Sequence, residues 1–241
     1  MPCEKWPLLV VSAVVLLMIR FLSSTQPKET AWQWNNTQQK FHEVRPGNRT
    51  AAPSKTQADL NGNGKEETYT LRNGLLTVGE SGIQKWSSPK DWQVTAMAFG
   101  NVMGLGQQLV MVIWKPGDYG ASRPFWVKEE ENDISVKNHL FVYNVTETGL
   151  FPAWQSSNLD TPNCSLAITD ADADGQDDLI VLEGSYQDNG ACKGHAVAVW
   201  TWSKFNFFNV WRSEKGSYHN LHVVFSGSIP RIQVSRGTGS Q

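Results

Sequence analysis

The stretch Asp170-Ala171-Asp172-Ala173-Asp174-Gly175-Gln176-Asp177-Asp178-Leu179 decides how the chain is read. It puts side-chain oxygens at loop positions 1, 3, 5 and 9 and a glycine at position 6. Alternate residues of a tight loop point the same way, and glycine permits the sharp turn. Calcium takes six to eight oxygens in this manner, so Asp170, Asp172, Asp174, the carbonyl of Gln176 and Asp178 form an expected metal site. A helix-flanked calcium loop would also need an acidic residue at position 12. Position 12 is Val181, inside an apolar run, so the loop joins two strands. A second copy runs from Asp59 to Glu67, with Thr70 at position 12. Its expected ligands are Asp59, Asn61, Asn63, the carbonyl of Lys65 and Glu67, with less charge. In a third stretch, Asn101 to Leu109, the side chains of Met103, Leu105 and Leu109 cannot ligate calcium. A metal-free Asx turn is the alternative for each loop. Against it, three alternating aspartates plus Asp178 repel one another without a cation. One or two calcium ions are expected.

Outward from these loops the chain repeats. Gly82 to Trp86, Leu150 to Trp154 and Phe207 to Trp211 each end in tryptophan followed by polar residues. Each follows a short strand, at Leu75–Val78, His139–Tyr143 and Ala196–Trp202. The strands alternate and are β-branched or aromatic, and no sustained 3.6-residue period occurs after residue 25. Three units emerge, at about 56–88, 93–157 and 163–213. The segment 115–137 is an insertion in the second unit and reads as a solvated loop. Segments 30–46 and 217–236 look like complementary halves of a fourth unit. An unpaired sheet edge is a liability, and pairing the two ends removes it. The expected fold is therefore all-β, a propeller of four blades with four antiparallel strands each. An open stack or sandwich is the alternative. The eleven tryptophans then fill the faces between blades.

With these motifs in hand, the sequence resembles the FG-GAP/VCBS-type repeats of integrin-α-like β-propellers, as in bacterial exported proteins. The resemblance covers most of residues 30–235 at the level of architecture. Its specific motif is confined to Asp170–Leu179 and, less well, Asp59–Glu67. It implies calcium loops between the first and second strands of a blade, where the ion stiffens the loop and need not touch the ligand.

The remaining features concern location and partners. Lys5 precedes an apolar run from Pro7 to Ile19, which suits a signal peptide or a membrane anchor over residues 1–25. The propeller, residues 26–241, is then expected outside the cytoplasm, secreted or anchored, and monomeric. Cys164 and Cys192 are expected to sit at one rim of the third unit and to form a disulfide, which export permits. Net charge is -2, and no basic stripe suggests nucleic acid. His219 and His222 are expected on opposite faces of a strand, which disfavours zinc. Asn35, Asn48, Asn144 and Asn163 open glycosylation sequons that matter only in a glycosylating host. Motifs for serine, zinc-peptidase or phosphate-loop chemistry do not occur. The expected function is a binding module for an envelope protein or a glycan. The alternatives are a glycan-active enzyme on the same scaffold and a structural envelope protein.

Overall fold

The computed structural model describes residues 28–47, 56–118, 134–187, 192–226 and 229–237. The apolar N-terminal run, most of the 115–137 insertion and the Asn48 sequon lie outside them. All regular elements among the described residues are strands. No helix there is long and apolar enough to cross a membrane.

Sixteen strands form four antiparallel four-stranded sheets. Sheet 1 comprises β3 (Gln57–Ala58), β4 (Glu67–Arg72), β5 (Leu75–Glu80) and β6 (Ile83–Ser87). Sheet 2 comprises β7 (Gln93–Gly100), β8 (Gln108–Pro116), β9 (Val136–Thr146) and β10 (Gly149–Gln155). Sheet 3 comprises β11 (Asn163–Thr169), β12 (Asp178–Tyr186), β13 (Cys192–Ser203) and β14 (Asn206–Arg212). Sheet 4 joins the two ends of the chain. β15 (Tyr218–Ser226) and β16 (Ile229–Arg236) are followed in space by β1 (Lys28–Asn35) and β2 (Lys40–Val44). β1 pairs β16 from Lys28↔Arg236 to Trp32↔Ile232, so the edge expected to be covered is covered.

Local chemistry sets these pairings. Asn73 and Gly74 both have positive φ, 51° and 79°, which makes a two-residue turn matching strand twist between β4 and β5. Ser81 and Gly82 do the same between β5 and β6. The middle strands then bury both faces. Along β8, Leu109, Met111 and Ile113 enter the cluster shared with sheet 1, while Val110 and Val112 enter the one shared with sheet 3. On β12, Leu179 faces sheet 2, and Ile180 and Leu182 face sheet 4. A period of two with both faces apolar gives the uninterrupted runs seen in the sequence.

The recurring tryptophans have one structural role. In β6, β10 and β14 a register shift leaves Lys85, Ala153 and Val210 as the extra residue just before Trp86, Trp154 and Trp211. Such a bulge re-aims the next side chain. Each tryptophan then packs onto the following sheet: Trp86 on Tyr143, Trp154 on Trp202 and Phe207, Trp211 on Trp32 and Phe41. Two residues on, Ser88, Ser156 and Ser213 are buried. Their hydroxyls accept the backbone N–H groups of Leu76, Leu140 and Val197 at 3.0–3.1 Å. Their own N–H groups donate to the carbonyls of those same residues. The outer strand thus stays pinned to its neighbour after the bulge.

Sheet 4 departs from this pattern. β2 pairs β1 without a register shift, and Val44 stands opposite Ala31 where the other sheets have tryptophan. Its face away from sheet 3 is polar: Gln233 donates to Glu29 at 2.6 Å, and Arg231 to Gln33 at 3.3 Å. Among the described residues, apolar clusters bridge sheets 1–2, 2–3 and 3–4, and none bridges 4–1.

The structure changes one further expectation. β15 carries a register shift between His219 and His222, whose partners Ser235 and Gln233 are two apart. The bulge therefore turns both histidines to one face rather than to opposite faces.

Candidate metal centre

Three loops join the first and second strands of sheets 1, 2 and 3. The residue before each loop pairs with the residue after it: Ala58↔Glu67, Gly100↔Gln108 and Thr169↔Asp178. Loops 59–66 and 170–177 are therefore equal in length, and loop 101–107 is one residue shorter. This corrects the sequence register in sheet 2. Gln108, not Leu109, occupies the place of Glu67 and Asp178, because the deletion lies within the loop. All three side chains are buried. Among the described residues, the Gln108 amide has no hydrogen-bond partner on either atom.

The loops share one backbone path. Positions 4 and 6 are left-handed in each: Gly62 and Gly64, Gly104 and Gly106, Ala173 and Gly175. Ala173, at φ 62°, is the one non-glycine among them, and a Cβ there costs about 1–2 kcal/mol. Position 1 organises the turn from its side chain. Asp59 accepts the N–H groups of Gly62, Asn63 and Gly64 at 2.8–3.1 Å. Asp170 accepts those of Asp174 and Gly175 at 3.1 and 3.0 Å. Asn101 retains the Gly106 contact at 2.9 Å.

At positions 3 and 5 the first and third loops part. Carboxylate oxygens of Asp170, Asp172 and Asp174 lie within 4.8 Å of one another. Among the described residues, the hydrogen bonds they receive come from backbone N–H groups alone. Burial and the neighbouring Asp174 charge raise the pKa of Asp172. In the first loop the amides of Asn61 and Asn63 both donate to Glu80 Oε1, at 3.1 and 2.6 Å. Those bonds hold the Glu80 carboxyl below its ordinary range.

The position 9 side chains of both loops are buried and accept hydrogen bonds. Asp178 accepts the N–H of Ala171 at 3.0 Å and the hydroxyl of Thr201. Burial pushes its pKa up to about 7, with the Asp172 and Asp174 charges adding to the shift. Glu67 accepts the N–H of Leu60 at 2.8 Å and the hydroxyl of Tyr69 at 3.2 Å. Gln176 at position 7 gives its side-chain amide to the carbonyl of Trp202 at 3.1 Å, leaving its own carbonyl outside that bond. The Lys65 N–H donates to Asn63 Oδ1 at 2.8 Å.

Three residues that bear on the site were not singled out from sequence. Glu80 stands opposite Glu67 in the β4–β5 ladder. The two-residue Asn73-Gly74 turn fixes that register, so the signal was present. Thr201 occupies the corresponding place in sheet 3. Asp177 accepts the Asn101 N–H at 2.8 Å and ties the third loop to the second; a loop-internal motif carries no trace of that contact.

Cys164 and Cys192 form a disulfide with Cα atoms 5.2 Å apart. It does not join neighbouring strands. Cys164 lies in β11 and Cys192 opens β13, and β12 runs between them. Gly184 of β12 makes the crossing feasible, since an added Cβ would collide with Cys164 Sγ and lie 2.8 Å from Cys192 Sγ. The sheet holding the acidic loop is thus clamped at its far end.

Comparison with family models, with curated proteins and with solved structures gave no match.

Proposed function

We propose that this chain is a calcium-stabilised four-bladed β-propeller that serves as a binding module outside the cytoplasm, for a protein or glycan ligand, rather than as an enzyme. The observation that carries this reading is the Asp170, Asp172 and Asp174 cluster, gathered within 4.8 Å and met by backbone donors alone. Such a set suits one hard cation with oxygen preference. The first loop satisfies its side chains through Glu80, so one ion per chain is the natural stoichiometry. Support for a ring comes from the apolar stacking of sheets 1, 2, 3 and 4 in chain order and from the β1–β16 pairing. The blades then take the calcium loops at one end, as in the FG-GAP/VCBS repeats the sequence resembles. The disulfide favours an oxidising compartment, in line with the apolar run from Pro7 to Ile19.

The test is a thermal melt of the full chain with calcium and with EDTA. Calcium at about a hundredfold over its dissociation constant contributes about 2.7 kcal/mol, and the midpoint rises by about 5–10 °C. Asp172→Ala abolishes the rise. Equal midpoints in calcium and EDTA would overturn the reading.

A further inference from the structure

Three aromatic side chains hold equivalent places on the third strand of their sheets. Tyr143, Trp200 and Trp32 each follow a residue, Val142, Val199 or Ala31, that pairs with the outer strand at Trp154, Trp211 or Val44. Each packs with the cluster shared with the preceding sheet. Tyr143 is flanked by Trp86 at 6.2 Å and Trp92 at 6.5 Å between ring centroids. Trp32 is flanked by Trp211 at 5.5 Å and Tyr218 at 5.8 Å. Trp200 has no such ring neighbour among the described residues. Trp154 turns instead to Trp202 and Phe207. The connector between sheets 2 and 3 contributes Leu159 to its cluster and no aromatic ring beside Trp200 among the described residues, whereas Trp92 and Tyr218 enter the other two clusters.

The place left over is a cavity of about 470 Å³, lined by Trp154, Asn158, Leu159, Glu183, Trp200 and Arg212 among others. Its polar wall is already ordered. Buried Glu183 accepts two hydrogen bonds from Arg212, at 2.7 and 2.9 Å. The Arg212 guanidinium lies 5.8 Å from the Trp200 ring centroid. Within this pair the charges neutralise each other, and Asp160 at the exposed margin adds one negative charge to the lining. One group remains open. Among the described residues, Asn158 Oδ1 is buried without a hydrogen-bond partner, while its amide donates to Asp118. A buried acceptor of this kind costs free energy until a donor reaches it.

We propose that this cavity receives a tryptophan or tyrosine side chain from a partner protein, set beside Trp200 as Trp92 is set beside Tyr143 and Tyr218 beside Trp32. The ring lies against Trp200, and the indole N–H or phenol O–H donates to Asn158 Oδ1. Tyrosine and tryptophan suit a site that is apolar on one side and hydrogen-bonding on the other. This assignment rests on the reading of the chain as a binding module and gives that module its recognition element.

The test uses the full chain with ¹⁵N-labelled indoles, titrated with the capped peptide acetyl-Gly-Trp-Gly-amide. The Trp200 and Trp154 N–H signals shift saturably. The Phe analogue, lacking the donor, binds about tenfold more weakly. Leu159→Trp fills the cavity from within, abolishes the shifts and raises the melting temperature. Should that variant not fold, Trp200→Leu weakens peptide binding by about tenfold or more, and unchanged binding overturns the assignment. Absence of saturable shifts at Trp200 and Trp154 overturns it too. So does a response to methyl glucoside with none to the peptide, which would make the cavity a saccharide site. The calcium melt reads the loop independently, so calcium stabilisation without a peptide response overturns this inference alone.

Discussion

Loops 59–66 and 170–177 follow one backbone path and solve its electrostatics in opposite ways. Both wrap around an aspartate at position 1 and bend through left-handed residues at positions 4 and 6. The first carries its negative charge outside the loop, on Glu80, and points the Asn61 and Asn63 amides at it. The third carries its charge inside, on Asp172 and Asp174, and faces buried Asp178 with the neutral Thr201. Amide hydrogens do in the first loop what the proposed cation would do in the third. The turn is therefore a property of the position 1 aspartate and of backbone shape, while the proposed metal binding turns on the residues at positions 3 and 5.

The comparison can be broken in several ways. The largest effect concerns Asp178. Its folded pKa, up to about 7, lies above the unfolded value near 3.9. The native state therefore binds more protons than the unfolded state between those values, and stability falls as pH rises through the window. In metal-free protein the loss is on the order of 3 kcal/mol between pH 4 and pH 7.5. Urea melts across that range would register it, and Asp178→Asn would flatten it. Next come Asp59→Ala and Asp170→Ala, which strand backbone donors in either loop. Each costs about 2–3 kcal/mol without metal. Similar losses in both loops support a structural position 1, whereas a loss in the third loop alone, and only with calcium, would break the parallel.

A smaller effect comes from exchanging the loop chemistry. Asn61→Asp with Asn63→Asp turns two donors into acceptors facing Glu80. It destabilises the metal-free fold by about 1–3 kcal/mol, and calcium restores part of the loss. Ala173→Gly has the smallest effect. It relieves a left-handed alanine and gains about 0.5–1 kcal/mol after the added freedom of the unfolded chain is counted. The same exchange at Gly62, to alanine, should lose a comparable amount.

Much of this was legible in the sequence, for definable reasons. A two-residue strand period, turn-forming pairs such as Asn73-Gly74 and spaced tryptophans are local signals, and they yielded four antiparallel sheets and the pairing of the chain ends. The Asp-x-Asp-x-Asp-Gly pattern located the loops because alternate residues share a direction. What escaped needed a register or a neighbour. Gln108 was misaligned because a deletion inside a loop leaves the flanking strands intact. Glu80 lies 13 positions beyond Glu67 in the chain and becomes its partner only through the hairpin. Trp86-Ser-Ser88, Trp154-Gln-Ser156 and Trp211-Arg-Ser213 were visible as a repeat, yet the serine's role depends on a bulge that no spacing reveals. Sheet 4 carries Val44 and Pro46 in the places of tryptophan and serine, so its outer strand lacks the aromatic that each of sheets 1, 2 and 3 lays on the next sheet.

Calcium calorimetry of the full chain, run beside the Asp172→Asn/Asp174→Asn variant, decides whether the aspartates at positions 3 and 5 hold an ion. One ion binds per wild-type chain and none to the variant, whose melting temperature in EDTA equals or exceeds that of wild type. Binding that survives the double substitution, or wild-type protein that takes up no calcium, would contradict the proposed metal site.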